Sequence, residues 1–278
     1  LLHLGRVRLQ QEDFQGAIKV FEQAAALAPD LATVHSQLAN VYAAKGSPET
    51  AVELCDEFLQ KNPASAAVIL VKALALRDAG RNDAADSLLG QHTLVSTQQI
   101  TAPPRYGSLE KFNAALEKMI REHPSLAMTH TNRATRHGVQ TGSLSVEPSP
   151  EMQVLLNLVN GEVRATQARL RADGLGDHPW VQNAPSRWSM NSWAVVLSDQ
   201  GHQLSHIHPE AWMSAVYYVA TPEDGIGSTH GEDGWLEFGR PSDQLFAKAE
   251  SPVRSVQPRP GTLVMFPSYF FHRTKPFS

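Results

Sequence analysis

The sequence predicts an α+β chain in two parts: a solenoid of helical hairpins at the amino end and an antiparallel β sandwich or barrel at the carboxy end, with helices between. Three observations predict it. Residues 1–90 repeat themselves, because an offset of 34 pairs Leu4 with Leu38, Ala17 with Ala51 and Pro29 with Pro63. From residue 187 the texture changes to short aromatic and β-branched runs, "WSMNSWAVVLSD", "WMSAVYYVAT", "GWLEFG" and "GTLVMFPS", separated by Gly, Pro and Asp. With 278 residues, 42% hydrophobic and 19% charged, the chain is long and apolar enough for two packed units.

In the first part Ala17, Ala51 and Ala85 are small where two helices must approach closely, while Pro29 and Pro63 stop the second helix of each pair. Leu4, Leu38, Tyr42, Phe21 and Phe58 are the expected core, and Cys55 is expected to be buried as a small hydrophobe. Period, small residues and proline together resemble the tetratricopeptide repeat, in about three copies. The resemblance implies a stacked solenoid whose concave face holds a peptide or partner protein, or else a packing or dimerisation scaffold. Pro103 and Pro104 break the pattern, and the boundary is expected near residue 97, giving a repeat domain over 1–97 and a second domain over 98–278.

The middle segment holds two further helices. "LEKFNAALEKMIREHP" is amphipathic and ends at Pro124, and a second helix opens on Ser149, Pro150 and Glu151. Between them "THTNRATRHGVQTGSL", with His130, Arg133, Arg136 and His137, reads as a solvated connection or a binding loop.

The chemistry lies in the last third. On a strand alternate side chains share a face, so His206 and His208 would project together with Cα atoms about 6.6 Å apart. Pro260 and Gly261 turn the chain into a run that delivers His272 near the sheet end. A pair at spacing two plus one distant histidine is how two strands assemble a metal site, and imidazole suits iron, copper, nickel or zinc. An isolated His-x-His is also common on surfaces, and His137, His202 and His230 are read that way.

The blocks "HIHPEAW", "SAVYYV", "GWLEFGRP" and "GTLVMFPSYFFH", in that order, resemble a bacterial family of 2-oxoglutarate- and iron-dependent oxygenases with a double-stranded β-helix (jelly-roll) core, some of which carry amino-terminal tetratricopeptide repeats. The resemblance spans roughly residues 107–278, with Ala215 where the family has Gly. It implies a dioxygenase that hydroxylates a substrate using iron (Fe2+) and 2-oxoglutarate as cosubstrate, and that His206 and His272 bind the metal. The better-known oxygenases of the superfamily use His-x-Asp or His-x-Glu; here the second position is His208, so the third ligand is His208, which its spacing favours, or a carboxylate such as Glu210 or Glu237, and His206, His208 and His272 are the expected metal-binding and catalytic residues. Tyr218 matches the tyrosine that reaches the cosubstrate carboxylate, and the arginine anchor would lie beyond Ser278. The chain starts without Met and stops before that last strand, so it reads as a fragment.

Because repeats of this kind read peptides, a protein or peptide substrate is expected. Two other readings share these features: a non-catalytic repeat adaptor with a degenerate metal-binding barrel, and a cupin-like metalloenzyme without 2-oxoglutarate. The net charge of −4 gives no basic field for nucleic acid, and no apolar run approaches the roughly 18 residues of a membrane span. One cysteine and no secretory signal fit a cytoplasmic protein. "GIGSTHG" lacks the strand-then-helix setting of a phosphate loop, and Ser214 and Ser268 lack a nucleophile elbow.

Overall fold

Six helices pair off at the amino end: α1 (Leu2–Gln10), α2 (Phe14–Leu27), α3 (Ala32–Lys45), α4 (Pro48–Lys61), α5 (Ala66–Asp78) and α6 (Asn82–Leu88). The computed structural model describes residues 1–128, 133–222, 231–242 and 245–277. The repeat spacing decides the packing: Ala17, Ala51 and Ala85 are fully buried, so each hairpin closes on a methyl group, and Phe21, Phe58, Leu38 and Cys55 are buried as expected. Tyr42 is partly buried against the same cores. Leu4 departs from expectation at 47% exposed. In α1 the inward face belongs to Gly5 and Leu9, with Gly5 against the Phe21 ring, which turns Leu4 outward. Helix α3 ends on Gly46 in the left-handed conformation (φ 96), where the missing Cβ removes the penalty.

The chain continues through α7 (Gln91–Leu94), β1 (Ser96–Gln99), α8 (Leu109–Arg121), β2 (Ala127–Met128), β3 (Thr135–Gln140), α9 (Pro150–Ala172) and α10 (Pro179–Gln182). Ser108 caps α8 and Ser149 caps α9, each hydroxyl accepting a backbone N–H of the first turn. The strands β4 (Val195–His206), β5 (Met213–Tyr217), β6 (Leu236–Phe238), β7 (Arg254–Val256), β8 (Thr262–Pro267) and β9 (His272–Thr274) follow. Their pairings form two antiparallel sheets among the described residues, ordered β1-β8-β5 and β2-β3-β4-β9-β6-β7. The architecture is therefore α+β, helical repeats followed by a sheet-rich region.

Two segments differ from the sequence reading. Residues 135–140, expected as a solvated connection, form β3 against β4, and residues 96–99, at the expected boundary, pair with β8. His130 lies outside the described residues, as do 225–230 of "GIGSTHG", including His230. No helix among the described residues is long and apolar enough to cross a membrane.

The two sheets meet where Phe238 of β6 packs against Phe266 of β8, ring centroids 4.8 Å apart. One apolar core runs from α3–α6 through Trp180 into Phe238, Phe266, Tyr269, Phe270 and Phe271. A second core joins Phe112 and Leu116 of α8 to Leu155 and Leu156 of α9. The tryptophans Trp180 and Trp212 stack at 4.7 Å, and each indole N–H donates to the other's backbone carbonyl, at 2.7 and 2.9 Å. This double bond pins α10 to the start of β5.

Candidate metal centre

His206 ends β4 and His272 opens β9, and the two are directly paired across the antiparallel ladder. One residue separates His272 from Thr274, but two separate their partners His206 and Gln203, so β4 carries one extra residue at this point. Without that bulge Ser205 would stand opposite His272; the extra residue turns His206 to the shared face instead. His208 lies just beyond the strand and is held by its backbone N–H, which donates to the Ser268 carbonyl at 3.0 Å. Ser268 is itself hydrogen-bonded to Ser214, hydroxyl to hydroxyl at 2.8 Å, so these serines brace the loop between β8 and β9.

The three rings converge. Centroids are 4.2 Å apart for His206 and His272, 5.0 Å for His206 and His208, and 5.1 Å for His208 and His272. One nitrogen from each lies within 4.8 Å of the others. His206 Nδ1 contacts the Leu204 carbonyl at 2.7 Å and His272 Nδ1 contacts the Phe270 carbonyl at 3.0 Å. A carbonyl only accepts, so each Nδ1 carries the proton and each neutral ring keeps its lone pair on Nε2, the orientation a metal ligand needs.

Burial reinforces neutrality. It lowers the pKa of all three histidines, with His206 lowering both of its neighbours further; His208 is pushed down to about 4 and His272 well below the ordinary value. The His206 and His272 carbonyl bonds oppose the shift without reversing it. Three unprotonated imidazoles at neutral pH are a donor set that fits a divalent transition metal. Among the described residues they are the group so placed.

The carboxylates sit elsewhere. Glu210 is exposed in the turn after His208. Glu237 pairs with Arg273 across β6 and β9, on the opposite face from His272 and its partner Phe238. Its carboxylate, 2% exposed, accepts from Arg240 at 2.7 Å and Arg273 at 2.6 Å and meets Lys275 at 3.0 Å. Burial pushes this carboxyl up, but the bonds and charges of Arg273 and Lys275 outweigh it and hold it below the usual range.

Strand parity separates the two tyrosines of "VYYV". Ser214 and Val216 pair with Phe266 and Val264, and the ladder continues with the Tyr218 N–H donating to Thr262 O at 3.0 Å. Tyr218 therefore shares the face of Phe266, whose ring lies 4.8 Å from His272. Tyr217 points the other way, its hydroxyl donating to Asn113 Oδ1 at 2.6 Å. Burial raises the pKa of Tyr218, so its phenol stays protonated.

Trp193 was not singled out by sequence reasoning. It is 38% exposed and presents its ring edge to His208 at 5.5 Å, which places an open aromatic surface beside the trio. A tryptophan in a run of polar and small residues was the available signal. His137 and His202 lie 6.4 Å apart on β3 and β4, without a third donor among the described residues.

A family model for the tetratricopeptide repeat matches residues 2–67, and one described as "Putative 2OG-Fe(II) oxygenase" matches residues 191–278. The chain joins tetratricopeptide repeats to an oxygenase-family segment. That segment contains all three histidines and begins after α8, α9 and α10. No curated protein matches the chain.

Proposed function

We propose that the protein is a 2-oxoglutarate- and iron-dependent oxygenase that hydroxylates a protein or peptide, with its two sheets closing as a jelly roll around the metal. The convergence of His206, His208 and His272 carries this reading, because three neutral imidazoles brought together within the segment that matches the oxygenase family are a ready metal site. Bound iron would supply the oxygen chemistry that couples decarboxylation of 2-oxoglutarate to oxidation of a C–H bond.

The chain's own residues bind and orient. Leu204 and Phe270 carbonyls hold two rings in the metal-binding tautomer. His208 takes the place of the carboxylate in the His-x-Asp pattern, so the site carries one less negative charge and would make a bound metal a stronger Lewis acid. Tyr218, protonated and on the Phe266 face, would offer its hydroxyl to a carboxylate of the cosubstrate. Phe238 and Phe266 exclude water beside His272. The substrate class rests on the repeats, an architecture that generally mediates protein–protein interaction.

The test is succinate formation from 2-oxoglutarate with and without Fe(II). The reading requires iron-dependent succinate, lost in His206→Ala and His272→Ala, and a raised KM for 2-oxoglutarate in Tyr218→Phe. Tight metal binding without succinate would point to the cupin-like alternative. Absence of metal binding would leave the non-catalytic adaptor.

A further inference from the structure

The helices α3 and α5 are neighbours in the inner layer of the repeats, with α4 packed against both. Their free side is not open. Residues 245–249, from the connection between β6 and β7, lie along it. The Phe246 N–H donates to Asn40 Oδ1 of α3 at 3.0 Å, and the Lys248 and Ala249 N–H groups donate to Asp78 Oδ1 at the end of α5, at 3.0 and 2.8 Å. Leu245 and Ala247 pack on the core that α3 and α5 build, while Phe246 stays partly exposed.

Among the described residues every polar contact here is to the segment's backbone, so the helices read a chain with small or apolar residues at alternate positions and do not read the side chain between them. The occupant is also incomplete. Asn40 is 1% exposed, its Oδ1 is used, and its Nδ2 is buried without a hydrogen-bond partner among the described residues. A buried donor left unpaired is costly, and a peptide that placed a carbonyl there would satisfy it.

We propose that residues 245–249 are a cis-bound peptide in a backbone-reading site of the repeats, and that an extended segment of a partner protein binds there by displacing them. The claim stands on Asn40 and Asp78 alone and is independent of what the histidines do. A tethered segment acts at an effective concentration on the order of 1 mM, so it weakens an outside peptide of Kd about 0.1 mM roughly tenfold.

The experiment uses the full chain and a fluorescein-labelled peptide with the sequence of residues 245–252, LFAKAESP. Phe246→Pro with Lys248→Pro removes two of the donated N–H groups and empties the site. This variant is expected to bind the peptide about tenfold more tightly than the wild type. Adding Asp78→Ala is expected to abolish that gain. Equal affinity for variant and wild type, or no binding to either, with helical circular dichroism unchanged, overturns the proposal. Hydrogen exchange on the wild type gives an answer that does not depend on the proline variant folding. The Phe246, Lys248 and Ala249 amides should exchange slowly and accelerate as unlabelled LFAKAESP is added; exchange at the unprotected rate without peptide overturns it.

Discussion

At the scale of single residues, the three imidazoles are kept neutral, the form in which an imidazole can donate to a metal. An unfolded histidine takes up a proton near pH 6.5, whereas burial and His206 hold His208 down to about 4. As pH falls from 6.5 towards 4 the unfolded chain binds protons that the folded site refuses, so stability drops through that window. Metal affinity should therefore fall at a lower pH than an ordinary imidazole titration would give, as read by Co(II) titration calorimetry. An affinity that follows an ordinary imidazole titration would remove the account. Replacing any one histidine by alanine should weaken the metal more than about 100-fold, since losing an outer-shell partner alone costs roughly 10–100-fold. His208→Ala is the discriminating case, and unchanged affinity there would exclude it as a ligand. Glu237 acts differently, as the buried partner of three cations on the opposite face. Glu237→Gln should destabilise the fold by about 2 kcal/mol in urea denaturation, below the full cost of breaking a buried pair because Arg240 is half exposed. The carboxyl is held below its ordinary pKa of 4.5, so this contribution is present above pH 4.5 and is lost as pH falls through the lower folded value.

At the scale of elements, the bulge in β4 and the loop between β8 and β9 set the site. The loop residues Tyr269, Phe270 and Phe271 are buried, and Phe270 and Phe271 line one small cavity with Leu70 and Leu74 of α5. The Tyr269 hydroxyl donates to the Leu88 carbonyl of α6 at 2.7 Å. The carbonyl of Phe270 orients His272, so the helix that packs on Phe270 indirectly steadies that imidazole. Phe270→Ala should cost about 3–5 kcal/mol by the cavity it leaves, and should also weaken Co(II) binding under conditions where the variant is still folded. A variant that loses stability but keeps full metal affinity would separate the loop from the site. Much of this was legible in the sequence. The strands β5, β6, β8 and the start of β4 are local runs of apolar, aromatic and β-branched residues, and the His-x-His spacing announces itself, whereas the polar second half of β4, "QGHQLSH", is not legible as a strand. The strand β1 is not legible, because "STQQ" is polar and its order comes from pairing with β8, more than 160 residues away. The bulge that aims His206 is likewise a register effect between strands, invisible in either strand alone. Helix α5 did carry a signal: "AAVILVKALALRD" is apolar on every side, which means both faces are covered.

At the scale of the whole molecule, that covering decides how separable the two parts are. The repeats and the sheets share one core, and the contacts across it are specific. Gln91 Nε2 donates to the Pro252 carbonyl at 3.0 Å, Arg254 donates to the carbonyl of Gln91, and Tyr269 donates to that of Leu88. On the other side of β8, Gly261 (φ 85) sits so close to Leu109 and Gln99 that a Cβ would meet both, tying the turn into β8 to α8 and β1. A boundary at residue 97 would cut through β1 and expose Tyr269, Phe270 and Phe271, which precede His272 directly. If the repeats only delivered substrate, removing residues 1–97 would raise the substrate KM and leave iron binding and uncoupled 2-oxoglutarate turnover intact. Physical continuity of the core argues for a different outcome. The remaining chain should lose the sharp near-ultraviolet circular dichroism of its packed aromatic residues, expose apolar surface, and fail to bind Co(II). A truncated chain that keeps its aromatic signal and its metal would show that the sheets fold without the helices and that the shared core is dispensable. Short of that result, the repeats are part of what holds His272 in place.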